Sequence, residues 1–140
     1  MGANEKADKI ARAMLAAEGT GPAWGIAIEE AREGYARIRM TVRADMLNGH
    51  RTAHGGMIFA LADTAFAYIC NGANHASVAA QASMVFLDKV SEGERLIAEG
   101  EQVAREGRAG VTRVAVRTAD GRAVAEFTGY SRTIGGAVIS

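Results

Sequence analysis

Residues Met57 to Asn71, MIFALADTAFAYICN, constrain this chain more than any other segment. The run is rich in Ala, Leu and Phe, contains neither Pro nor Gly, and is stopped by Gly72, so it reads as a helix. Nearly every face of that helix is apolar, and a helix that is apolar all round is expected to be buried all round. It cannot escape into a bilayer, because Met57 to Cys70 is roughly 14 residues and a transmembrane helix needs about 20. The rest of the chain must therefore wrap around it.

The remaining patterns are those of strands. Ala36, Ile38, Met40 and Val42 alternate with Arg37, Arg39, Thr41 and Arg43, a period of two with one polar side, as in an antiparallel sheet covered on one face. Trp24, Ile26 and Ile28 alternate before it, with a turn at Glu33-Gly34. Beyond the apolar helix, strands are expected at Val78–Leu87, Leu96–Ala104, Val111–Thr118 and Ala123–Thr133. Turns at Glu106-Gly107 and Asp120-Gly121 separate the last three. Thr112, Val114 and Val116 oppose Arg113, Ala115 and Arg117 on the fifth strand. Residues 5–17 read as a short amphipathic helix with Ile10 and Met14 on one face, ended by Gly19, Gly21 and Pro22. The expected fold is α+β: one antiparallel sheet around one central helix, forming a single domain over residues 1–140. One sheet leaves part of that helix uncovered, and a second copy of the chain could supply the missing wall.

Composition narrows the partners. With 16 basic and 16 acidic residues the net charge is zero, which gives no electrostatic case for nucleic acid or a polybasic membrane contact. Low net charge also leaves little self-repulsion to oppose assembly into a homo-oligomer. Cys70 is the sole cysteine, so no internal disulfide forms, which fits a reducing compartment. The opening residues lack the apolar stretch of a signal peptide, and a cytoplasmic location is expected.

Asp63 breaks the apolar pattern. It is the only Asp, Glu, Lys or Arg between Arg51 and Asp88, and unpaired buried carboxylates are costly enough that cores rarely hold them for stability. Just before the helix stand His54, Gly55 and Gly56. The first N–H groups of a helix lack internal partners, and with no side chain at Gly55 a carbonyl oxygen can approach that N–H and the positive helix end. Asn48, in a loop spanning Ala44–His54, is equally a turn residue and a polar group able to orient water. Thr64 is expected to bond the carbonyl one turn back, or to help position water. Gly55 and Asp63 are eight residues apart, roughly 12 Å along one helix. Both would have to lie about 3 Å from one reacting centre, so a shared site requires Asp63 of one subunit and Gly55 of another. So few groups suit an undemanding reaction. A thioester qualifies, because its leaving thiol has a pKa near 8.5. Asp63 would act as general base or as nucleophile.

Other candidates are weaker. His50 and His54 have the i, i+4 spacing of a metal pair, but the glycines around them argue against a helix, and no further ligands accompany them. No metal and no cofactor is expected. His75 reads as a surface residue, Cys70 as a buried thiol, and the arginines of the outer strands as a solvated face with the option of meeting phosphates.

The block Met46-Leu-Asn-Gly-His50, followed by HGG at 54–56 and LAD at 61–63, closely resembles the phenylacetate-degradation thioesterases (PaaI type) of the hot-dog superfamily. The resemblance runs from Gly25 to Gly136. It implies the hot-dog fold, with Asp63 as catalytic carboxylate, Gly55 as oxyanion donor and Asn48 as a polar residue of the shared site; Thr64 and His54 match positions nearby. It also implies homodimers pairing into homotetramers and hydrolysis of phenylacetyl-CoA or its ring-hydroxylated derivatives. One departure lies at Phe86–Val90, where relatives often carry a Pro near Lys89. Two alternatives share the fold: a hydratase or dehydratase of acyl thioesters, which would pair a His with the carboxylate, and a non-catalytic acyl-CoA-binding protein, which would need no Asp63.

Overall fold

The computed structural model describes residues Met1–Ser140. Its elements are α1 (Ala3–Ala17), α2 (Thr20–Trp24), β1 (Ala27–Arg32), β2 (Tyr35–Thr41), a 3-10 turn (Ala44–Met46), α3 (Gly55–Cys70), β3 (Ser77–Phe86), β4 (Arg95–Glu106), β5 (Ala109–Thr118) and β6 (Ala123–Thr133). The six strands form one antiparallel sheet in the order β1-β2-β4-β5-β6-β3. Helix α3 packs against every one of them. This is the hot-dog arrangement.

The strand alternation sorts residues as the sequence predicts. Ala36, Ile38, Met40 and Val42 are buried against α3, as are Thr112, Val114 and Val116. Arginines of the opposite parity face outward, and two of them find carboxylates at short range: Arg37 Nε donates to Glu29 at 2.9 Å and Arg117 to Glu99 at 2.7 Å. The core is closed by aromatics. Phe66 of α3 lies 5.6 Å from Phe127 between ring centroids, and Phe59 meets the same ring edge-on at 5.3 Å. A Cβ at Gly129 would fall 2.8 Å from the Phe66 ring, so that strand position has to be glycine for the helix to sit so close.

Three local expectations change. Trp24 does not begin a strand; it ends the five-residue helix α2, which turns out through Gly25 at φ +67°. Alternation of apolar residues over so short a stretch does not separate a turn of helix from a strand. The central helix starts at Gly55 rather than Met57, because neither Gly55 nor Gly56 takes a positive φ and both fit a first turn. The helix is also not buried all round. Gly56, Met57, Ala60, Asp63, Thr64 and Ala67 form a partly exposed stripe that a single sheet does not reach.

The two sheet edges differ. β1 is short, bulged between Ile28 and Glu30 and packed under α1, which blunts it against further pairing. β3 is ten residues long and has no neighbour beyond it, with Val78, Val85 and Phe86 exposed. Its start is pinned to the end of α3 by buried Asn71. The Asn71 amide donates to Ala67 O at 2.9 Å and Ser77 O at 3.2 Å, while its oxygen accepts from Ser77 N–H at 2.8 Å. Removing this amide would strand buried backbone groups. Asn71→Ala is expected to lower unfolding free energy by about 2–3 kcal/mol, measured by urea denaturation; a loss below about 0.5 kcal/mol, the usual surface range, would show that the clamp is not structural.

Candidate active site

Loop 44–54 delivers the start of α3. His54 N–H donates to Met46 O and Ala53 N–H to Val90 O, each at 2.8 Å, so the helix start is anchored on two sides. His54 is the N-cap: its Nδ1 accepts from Gly56 N–H at 2.9 Å. A Cβ at Gly56 would lie 3.1 Å from that nitrogen, so the second glycine makes room for the capping ring. The cap occupies Gly56 N–H and leaves Gly55 N–H with no acceptor in the chain. Being the first residue of a sixteen-residue helix, Gly55 presents that donor where the helix dipole is positive.

Beyond the N–H, the missing side chain of Gly55 also bears on a neighbouring ring. A Cβ there would press on the ring of Phe86, with Cζ 3.2 Å and Cε1 3.3 Å away. Beside them opens a cavity of about 370 Å³, lined by Ala53, Gly55, Ile58, Phe86, Leu87, Asp88 and Lys89.

Asp63 sits two turns further along the same unbroken helix, on the uncovered stripe. It has no hydrogen-bond or ion-pair partner in the chain, and burial lifts its carboxyl above the ordinary carboxylate range. Thr64 beside it donates its hydroxyl to Ala60 O at 2.7 Å, the back-bond expected of a helical threonine. Asn48 organises the loop: its oxygen accepts from His50 N–H at 2.9 Å and Thr52 N–H at 3.2 Å, and its amide donates to Thr52 Oγ1 at 3.1 Å. The chain thus brings His54 and Gly55 together at one helix end, holds Asn48 in the turn leading to it, and keeps Asp63 with Thr64 about 12 Å away by helical rise.

A thioesterase-superfamily model matches residues 50–125, more than half of the chain. Acyl-coenzyme A thioesterase PaaI of Escherichia coli K12 is 41% identical over 136 residues, covering 96% of each chain. The chain belongs to the thioesterase superfamily, on its PaaI-type branch. The solved E. coli PaaI protein, from the phenylacetic acid degradation operon, superposes with a TM-score of 0.95 at 39% identity, covering 97% of this chain and 99% of that one. A hypothetical thioesterase from Streptococcus pneumoniae TIGR4, solved with coenzyme A, matches at a TM-score of 0.77 and 26% identity, covering 80% of this chain and 90% of that one.

Other groups of this thioesterase fall into structural places. The Cys70 thiol is buried and pushed up to about 12 by desolvation, which leaves it without the thiolate a nucleophile needs. His50 lies in the turn after Asn48 and His54 at the cap, so their i, i+4 spacing is not the helical one that a metal pair uses. No helix is long and apolar enough to cross a membrane. The residues that sequence reasoning overlooked are Asn71 and Phe86. Asn71 looked like the tail of a helix. Phe86 looked like one more apolar strand residue, and no local signal says that β3 carries it onto Gly55.

Proposed function

We propose that this thioesterase hydrolyses aryl-acetyl thioesters of coenzyme A, phenylacetyl-CoA and its ring-hydroxylated forms among them, in a site assembled from two copies of the chain. One observation carries this reading: an unpaired, desolvated carboxylate and an unpaired backbone donor lie on one helix, too far apart to act on one carbonyl. A two-fold dimer resolves it. Pairing the open β3 edge with its symmetry mate sets two α3 helices antiparallel, and Asp63 of one subunit then faces Gly55 of the other. The open edge of β3 and the uncovered stripe of α3 are covered by the same contact, and dimers pair further into tetramers.

In that site the thioester carbonyl oxygen sits on the Gly55 N–H, and Asp63 from the other subunit acts on the carbonyl carbon. As a general base it takes a proton from water, whose oxygen adds to the carbonyl. As a nucleophile it adds directly, and water later cleaves the resulting anhydride. Either way negative charge grows on the carbonyl oxygen, where the N–H and the helix end stabilise it. The thiolate then leaves unaided, and the proton taken from water balances it. Asn48 and Thr64 orient water near Asp63, and His54 keeps the donor free by capping Gly56 instead. The aryl-acetyl preference draws on the likeness to E. coli PaaI, and coenzyme A as carrier on the streptococcal relative.

The test is free-thiol release from phenylacetyl-CoA, hydroxyphenylacetyl-CoA and octanoyl-CoA. Thiol release with the aryl substrates turned over fastest is the expected outcome. A folded protein that releases thiol from none of them, or that removes water from a 3-hydroxyacyl-CoA instead, would overturn the reading.

A further inference from the structure

The cavity beside Gly55 contains a feature that thioester hydrolysis does not itself require. Phe86 is a large aromatic residue at the end of an edge strand, 53% exposed and outside the buried core cluster. Its backbone is held firmly: Phe86 pairs with Ala125 in the β3–β6 register, and Leu87 N–H donates to Val124 O at 2.8 Å. Ala82 and Met84, of the same parity, pack against the core, so the strand aims Phe86 inward. One side of its ring stands 3.2 Å from where a Gly55 Cβ would lie, a tight contact. Ile58 and Leu87 line the same cavity. The aromatic surface is therefore fixed at the N–H on which a thioester carbonyl would rest.

We infer that Phe86 is a specificity-determining residue, whose ring stacks against the aryl group of an aryl-acetyl thioester bound at the Gly55 N–H. This rests on the thioesterase reading above. In an aryl-acetyl group the ring is one methylene from the carbonyl carbon. A carbonyl oxygen seated on Gly55 N–H therefore leaves that ring within reach of Phe86, which lines the same cavity, and aromatic pairs attract in offset or edge-on geometry at about 4.5–7 Å between centroids. A straight acyl chain fills the same space without that attraction. The contact persists from bound substrate to transition state, so it acts on KM more than on kcat. Gly55 also acquires a second role. Its lack of a side chain is what lets the selecting ring approach the donor.

The deciding experiment compares phenylacetyl-CoA with octanoyl-CoA, which has the same number of acyl carbons, in the wild type, Phe86→Leu and Phe86→Tyr. The ratio of kcat/KM values for the two substrates is expected to fall about 2- to 10-fold in Phe86→Leu, mainly through KM for the aryl substrate, and to be kept in Phe86→Tyr. Phe86→Met replaces the Leu variant if that one does not fold. An unchanged ratio, or an equal loss on both substrates, would overturn the inference. The same pair of ligands is titrated calorimetrically against Asp63→Asn proteins with and without the Phe86 change. If the wild type turns over neither thioester, the proposed function fails. The titration then decides the role of Phe86 alone: a selective loss of phenylacetyl-CoA affinity supports it, and equal affinities reject it.

Discussion

Asp63→Asn is expected to lower thiol release by about 10²–10⁴-fold, the range that a positioned carboxylate supplies, and to make the protein more stable at neutral pH. Both effects follow from the same placement. Asp63 has no partner in its own chain, and burial raises its carboxyl above the ordinary value of 3.8. An acid raised in this way holds its proton more tightly when folded than when unfolded, so ionising it costs stability. That cost is absent well below the ordinary value, develops as pH rises through the folded value, and is complete at neutral pH. Asparagine has the same shape and carries no charge. The urea midpoint of Asp63→Asn should therefore exceed that of the wild type near neutrality, and the difference should close in acid. Activity should run the other way. The acid limb of kcat/KM in the wild type is expected to have its midpoint above the ordinary aspartate value. Wild-type turnover in Asp63→Asn would remove the carboxylate from the mechanism. A lower stability for the variant near neutrality would mean that the native charge is compensated by a group outside the chain.

Gly55→Pro isolates the oxyanion donor. Gly55 is the first residue of its helix, where proline is well tolerated, and His54 before it is already extended at φ −61° and ψ 134°, as a residue preceding proline prefers. Proline removes the N–H and leaves the helix. It also adds a Cβ that meets Phe86 at 3.2 Å, and Gly55→Ala adds the same Cβ while keeping the N–H. The proline variant is expected to be about 10²–10³-fold slower in kcat than the alanine variant. The two-subunit geometry then makes a quantitative demand. Unfolding and refolding equal amounts of Asp63→Asn and Gly55→Pro together makes half the dimers mixed. Each mixed dimer has one site with both groups intact and one with neither, so activity should recover to about a quarter of the wild type. No recovery, with mixed dimers demonstrated by mass, would place both groups in one subunit's site and contradict the helical distance.

The N-terminal helix, the succession of six strands and one central helix, the buried and solvent faces of β2 and β5, and the isolation of Asp63 were all legible in the chain itself. These are local properties: a period of two, a period near 3.6, or a lone charge in an apolar run is complete within ten or fifteen residues. The 12 Å between Gly55 and Asp63 was legible for the same reason, since helical rise per residue is constant.

What only the tertiary structure decided involves residues far apart in sequence. The open edge belongs to β3 because the strand order puts it last, beside β6, and strand order is invisible to periodicity. The clamp of Asn71 on Ser77 depends on where the chain turns after α3. The stripe left bare around Asp63 depends on how far one sheet can curl. The glycine at position 55 was expected to let a carbonyl oxygen approach its N–H. Folding brings the ring of Phe86, thirty-one residues later in the chain, to 3.2 Å from where a Cβ of that glycine would stand, beside a free N–H. Sequence alone singled out the carboxylate as the candidate, because a lone charge in an apolar run is a local property. The tertiary fold established what stands next to it, because contact depends on packing between strands and helix that no local pattern encodes.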